Sequence, residues 1–256
     1  MIEQDPPPEP KAKLPLPVVT IVLAAMNIAA YGLAMAAGAD PMAPTPDQIF
    51  DLGGNFGAVT LDGESWRLLT SMFLHFGLLH IAMNMVGLID GGRHVEGMYG
   101  RAAFVALYLF AGLVGSLASA LSGKAVSAGA SGAIFGIFGA WAAYLLLHRG
   151  AIDKEALAKQ SKGLLIFLGY NIWFGVTAEG IDMRAHIGGL IAGFVAGLVL
   201  SSGKQRGPRV LAVFVCSGLV IAAAQVVPKP QANVLLASSK VKFDQFAVIE
   251  SKALDR

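Results

Sequence analysis

Apolar residues along this chain fall into seven long blocks separated by short polar segments, the pattern of a chain that crosses a bilayer repeatedly. The blocks cover about residues 14–38, 68–89, 102–122, 131–148, 163–178, 185–202 and 208–227, each near the ~20 residues that a spanning helix needs. They predict an all-α fold, a polytopic membrane helical bundle. The first six blocks lie within 14–202 and the seventh within 203–227. Residues 1–13 are expected to be a disordered cytoplasmic tail, and 228–256 a C-terminal tail on the extracytoplasmic side.

Composition agrees with that class. The 256 residues are 55% hydrophobic and only 14% charged, with a mean hydropathy of +0.63, beyond what a soluble core requires. The prefix MIEQDPPPEPKAK is long, acidic and proline-rich, and no small-residue cleavage site follows it, so the first block does not read as a secretory signal. Charge sets the orientation. With the N-terminus in the cytoplasm, eleven basic residues fall inside (Lys11, Lys13, Arg93, Arg101, Arg149, Lys154, Lys159, Lys162, Lys204, Arg206 and Arg209), against Arg67, Lys124 and Arg184 outside. That bias favours an N-in topology. The tail 228–256 carries the other five basic residues, so six spans with that tail inside is the alternative topology. Because the positive-inside bias accounts for most basic residues, the net charge of +2 gives no ground for a nucleic-acid partner. The single cysteine, Cys216, can form no intrachain disulfide and reads as a small core or lipid-facing residue; no metal or cofactor is expected.

Polar groups inside the spans carry the candidate chemistry, since an ionisable group in hydrocarbon is costly and faces a bundle interior or a cavity. They concentrate in three places: His75, His80 and Asn84 in the second span, Ser131 at the start of the fourth, and His186 at the start of the sixth. His80 and Asn84 lie four apart on one helical face, a spacing suited to two donors aimed at one oxygen. His75 is five residues before His80, about 140° away on a ~3.6-residue turn, which favours a structural hydrogen bond.

Glycines suggest how the three places meet. Gly189, Gly193 and Gly197 lie at offsets of three, seven and eleven from His186, and Gly132, Gly136 and Gly139 form a similar stripe after Ser131. Such stripes let helices approach closely, which would bring Ser131 beside the His186 imidazole. Spans two, four and six all enter from outside, which places the three groups in the outer half. A serine opening a helix gains the dipole's positive end and unpaired N–H groups. A hydroxyl, an imidazole and extra donors are the parts of an acyl-transfer site: nucleophile, general base and oxyanion hole.

At these residues the chain resembles the rhomboid intramembrane serine proteases. The matching pieces are Trp66-Arg67, His75-(x4)-His80-(x3)-Asn84, Gly129-Ala130-Ser131-Gly132 as G-x-S-G, and Ala185-His186 followed by Gly188-Gly189, in family order over about residues 60–200. A lone G-x-S-G is weak; the four together are strong. The resemblance implies a serine endopeptidase acting in or near transmembrane helices. Ser131 would be the nucleophile and His186 its base, with His80, Asn84 and the Ser131 backbone N–H as the oxyanion hole. It also implies a rhomboid-like six-helix core over 14–202, with the seventh span fitting members that carry one extra C-terminal helix. No catalytic carboxylate is required, so Asp182 reads as a solvated loop charge. Phe135 stands where the family usually has a tyrosine that orients the histidine, so a phenolic hydrogen bond is missing. Trp66 reads as an interfacial anchor, Arg67 as a fork shaping the first outer loop, and Glu96 as a structural residue bonding nearby loop groups. Gly129, Gly132 and Gly189 are supporting positions.

The expected partners are the lipid bilayer and transmembrane protein substrates with helix-destabilising segments, because a helix must unwind locally before its carbonyls can be attacked. The location expected is a bacterial-type inner or plasma membrane, with the site opening to the extracytoplasmic side. Residues 177–184, TAEGIDMR, read either as a gate or as an ordinary connection. A silent, client-binding relative of the family would typically lack the serine or histidine. A transporter would show internal repeats or acidic intramembrane residues, and neither is present in this sequence.

Overall fold

The computed structural model describes residues 16–122, 125–177, 181–202 and 207–227. The two expected tails and part of the 177–184 segment lie outside the described residues. Helices account for most of the described residues. The first is α1 (Val18–Ala36), followed by three short helices in the outer segment, α2 (Pro46–Asp51), α3 (Gly57–Thr60) and α4 (Arg67–Thr70). A 3₁₀ turn over Ser71–Phe73 leads to α5 (Leu78–Tyr99), and then α6 (Arg101–Ala120), α7 (Ser131–His148), α8 (Lys154–Thr177), α9 (Met183–Ser201) and α10 (Gly207–Val226). Five helices, α1, α6, α7, α9 and α10, are long and apolar enough to cross a membrane; a bent pair, α4 with its 3₁₀ turn and α5, makes a sixth.

Two of the expected spans differ from the sequence reading. The second, expected as one stretch over 68–89, is broken by 93° between Phe73 and Leu78. Gly77 lies in the break with φ +92°, and a Cβ there would overlap the Met42 carbonyl oxygen. Only a residue without a side chain lets the turn sit against the outer segment. His75 is consequently not on α5, and the angular argument made for a continuous helix does not apply to it. The fifth span is longer than expected. It begins at Lys154, and Glu155, Lys159 and Lys162 in its first turns keep it short of the apolarity of the other crossings. A groove of about 320 Å³ between it and α7 is lined by Leu145, Leu146, Leu157 and Leu164 among others.

α7 forms the centre. Two thirds of it (67%) is buried, against 28% of α1 and 17% of α10, so the latter two are peripheral helices whose exposed apolar faces suit lipid. The α7–α9 seam is built from missing side chains. A Cβ at Gly189 would overlap the Gly132 carbonyl oxygen, one at Gly193 the Gly136 carbonyl, and one at Gly139 the Leu190 carbonyl. The backbones therefore touch directly, the packing by which membrane helices associate without a hydrophobic driving force.

The ends away from Ser131 are fastened by polar groups. Tyr99 Oη donates to the Ala140 carbonyl at 2.9 Å and reaches the Gly197 carbonyl at 3.3 Å, joining α5, α7 and α9. α1 begins after Pro17, which offers no side-chain cap. Glu96 takes that role from α5: it accepts from Val19 N at 3.0 Å, and from Thr20 N and Thr20 Oγ1 at 2.8 Å each. A buried carboxylate holding three donors at a helix N-terminus is satisfied by both hydrogen bonds and dipole.

The outer segment between α1 and α5 is a second small core of Ile49, Phe56, Ala58, Leu74 and Val126, clamped by side chains that bond its backbone. Arg67 donates from Nη1 to the Phe50 and Gly54 carbonyls at 2.6 and 3.0 Å and from Nε to Glu64 at 2.6 Å. Its guanidinium also lies over the Phe50 ring. Thr70 Oγ1 donates to Gly53 O at 2.7 Å, and Asn55 Nδ2 to Ser116 O on α6 at 2.7 Å.

Candidate active site

Ser131 is the first residue of α7, and no side chain caps that helix. Its first-turn N–H groups and the positive dipole end are therefore directed at the site. His186 lies in the first turn of α9, whose N-cap is Asp182; that carboxylate accepts from the backbone N–H of Arg184 and Ala185 at 3.1 and 3.2 Å. The glycine seam holds the two helix starts together. Across it, Ser131 Oγ and His186 Nε2 are 2.8 Å apart, a hydrogen bond between residues 55 positions apart in sequence.

The imidazole is held by packing. His186 is 9% exposed, and among the described residues its buried Nδ1 has no hydrogen-bond partner. Phe135, one turn into α7, stacks on the ring with centroids 4.3 Å apart and planes at 13°. An aromatic face sets the ring plane where a phenol would otherwise add a hydrogen bond.

The loop before Ser131 is fixed by its backbone. Gly129 has φ +136°, and its N–H donates to the Ser71 carbonyl at 2.9 Å. A Cβ at Gly129 would lie 2.9 Å from His80 Cε1 and 3.0 Å from Nε2, so both conformation and space demand glycine there. Upstream, Ser127 and Asn55 exchange both backbone hydrogen bonds, at 2.9 and 2.7 Å, in an isolated antiparallel bridge.

His80 is thereby brought to the serine loop. The Phe76 N–H donates to its Nδ1 at 3.2 Å; with Nδ1 an acceptor, the neutral ring carries its proton on Nε2, the nitrogen nearest Gly129. Asn84 is one turn on and buried, and its Nδ2 donates to the His80 carbonyl at 2.9 Å, leaving one amide proton for other use. His75 is buried and meets His80 edge-on at 5.1 Å.

The remaining candidate residues are placed away from the hydroxyl. Trp66 is 49% exposed beside the Arg67 guanidinium. Arg67 and Glu96 bond the outer segment and the α1 start described above, and Gly132 and Gly189 face each other in the seam. Asn55, Phe135's neighbour Phe167 and Tyr99 escaped the sequence reading. Tyr99, a buried phenol at the end of an apolar helix just before Gly100, carried a signal, because a phenolic hydroxyl there needs a partner. The role of Asn55 depends on contacts 61 and 72 residues away and left none.

These features define a multi-pass α-helical membrane protein with a serine–histidine hydrogen bond inside its bundle. The rhomboid domain model matches residues 62–203. The chain is 35% identical over 171 residues to rhomboid protease GluP of Bacillus subtilis, a match taking in 66% of this chain and 33% of that protein. It is 34% identical over 193 residues to rhomboid-like protease 2 of Toxoplasma gondii, covering 73% of this chain and 67% of that one. With RHOMBOID-like protein 5 of Arabidopsis thaliana the identity is 34% over 149 residues, 57% of this chain and 47% of the relative. The chain belongs to the rhomboid family.

Proposed function

We propose that this chain is an intramembrane serine protease that hydrolyses peptide bonds in or near the transmembrane helices of other membrane proteins. The observation that carries this reading is the 2.8 Å bond between Ser131 Oγ and His186 Nε2. In the proposed reaction His186 Nε2 takes the Ser131 proton as Oγ attacks the scissile carbonyl, then returns it to the leaving amine; water, activated by the same nitrogen, hydrolyses the acyl enzyme. Oxyanion charge falls to the Ser131 backbone N–H, His80 Nε2–H and the second amide proton of Asn84. The tautomer that the Phe76–His80 bond imposes supports the His80 role. Phe135 is read as the orienting surface for His186, replacing an acid.

Substrate helices must unwind to expose a carbonyl, so those with helix-breaking residues near the cut are the proposed clients. The positive-inside bias supports an N-in topology and a site opening on the extracytoplasmic side of a bacterial-type membrane.

The test is labelling of the detergent-purified chain with a serine-directed fluorophosphonate. Label that maps to Ser131 and is lost in Ser131→Ala and His186→Ala is the expected result. A folded native chain that stays unlabelled, under conditions where another rhomboid protease reacts, would show that the pair is not an activated one.

A further inference from the structure

We propose that α10 is a positioning element of the candidate site, acting on the Ser131 loop through the outer segment; the proposal rests on reading Ser131 as the nucleophile. α10 buries only a narrow face, Val213, Ser217 and Ala224, against the bundle. Near its end it carries Gln225 within the apolar run AAAQVV. Gln225 is exposed at the end of the helix, and its Nε2 donates to the buried Ser65 Oγ, 160 residues away.

From Ser65 a continuous set of bonds leads to the serine. Ser65 is buried and precedes Trp66 and Arg67, whose guanidinium holds the Phe50 and Gly54 carbonyls. The residue after Gly54 is Asn55, which exchanges both backbone bonds with Ser127, four positions before Ser131. From Arg67 on, these links end on main-chain atoms, so a shift at Ser65 is passed on as backbone displacement.

The experiment uses the full chain in detergent, comparing native protein with Gln225→Ala, Ser65→Ala, the double variant, and Leu219→Ala, which alters a lipid-facing residue of the same helix (60% exposed). Two readouts are taken: amide hydrogen exchange across 125–131, where the Ser127 N–H donates to Asn55 O, and the rate of fluorophosphonate labelling at Ser131. Gln225→Ala and Ser65→Ala are expected to speed exchange in that segment and slow labelling about fivefold, the scale of one lost hydrogen bond. The double variant should be no slower than either single one, and Leu219→Ala should change neither readout. Unchanged exchange over 125–131 in Gln225→Ala with an unaltered unfolding midpoint, additive effects in the double variant, or an equal effect from Leu219→Ala would overturn the proposal. If the native chain fails to label, the nucleophile reading falls, and exchange alone still decides whether α10 is coupled to the loop.

Discussion

The α7–α9 seam and the outer segment are held by opposite means. Along the seam there is nothing between the backbones: a carbon added at Gly139, Gly189 or Gly193 would overlap a carbonyl oxygen of the facing helix. In the outer segment the backbone is irregular, and charged or polar side chains, Arg67, Thr70 and Asn55, reach in to satisfy it. A helix satisfies its own backbone groups and needs only shape to pack, whereas a loop at the membrane surface must find partners for each carbonyl it buries. Ser131 stands where the two systems meet, its hydroxyl aimed by the seam and its preceding loop by the outer segment. Distance across the site is thus set by steric contact, while the approach to it is set by bonds that can open.

If so, the seam should be the less forgiving. Gly193→Leu would drive its side chain into the Gly136 carbonyl, separating α7 from α9 at a cost of about 3 kcal/mol or more. The expected outcome is loss of the folded monomer in size-exclusion chromatography; a folded, labelling-competent variant would break the comparison. Arg67→Ala comes next. It strands the Phe50 and Gly54 carbonyls and should lower stability by roughly 2–3 kcal/mol, with proteolytic nicking in 37–66 while the helices stay intact. Arg67→Lys should restore only part, since an ammonium cannot reproduce the fork; full restoration would make the clamp a matter of charge alone. Thr45→Ala removes the α2 capping box, in which Thr45 Oγ1 accepts from Gln48 N and Gln48 bonds back, for about 1 kcal/mol, read as a small shift of the thermal midpoint.

The smallest effect is one of pH. The exposed Asp40 carboxylate accepts from the Ala43 and Met42 N–H groups, which hold its pKa below the ordinary 3.8. A depressed folded pKa means that the turn is stabilised above the unfolded value and loses that support as pH falls through the folded one. Protection factors at Met42 and Ala43, taken relative to the pH-dependent intrinsic exchange rate, should therefore fall below about pH 4, while those at Gly189 and Gly193 do not change.

Legibility in the sequence divides along the same line. The seam was readable because glycine spacing at three and four is a helix-face property, and with it the meeting of Ser131 and His186. His80 was readable as a group on the site, but its tautomer was not, because the donor is the Phe76 backbone in a bend that a run of apolar residues conceals. The break at 74–77 was missed for that reason: hydropathy reports burial and not direction, and Gly77 is one glycine among 31. The outer segment was legible in part: Arg67 reads as a fork shaping it and does hold its backbone, but the carbonyls held by Arg67 and Asn55 are ones that every residue possesses, so nothing in the partners' side chains marks the pairing.

Glu96 has a consequence for how the chain is made. α1 emerges before α5, with Thr20 and Val19 offering unmet N–H groups, and the carboxylate that closes this end lies 76 residues later. At about 5–20 residues per second, α1 waits on the order of 4–15 s before α5 supplies it. The first helix is thus inserted as an unfinished piece, and the arrival of Glu96 is the step at which the N-terminal half of the bundle becomes a single unit.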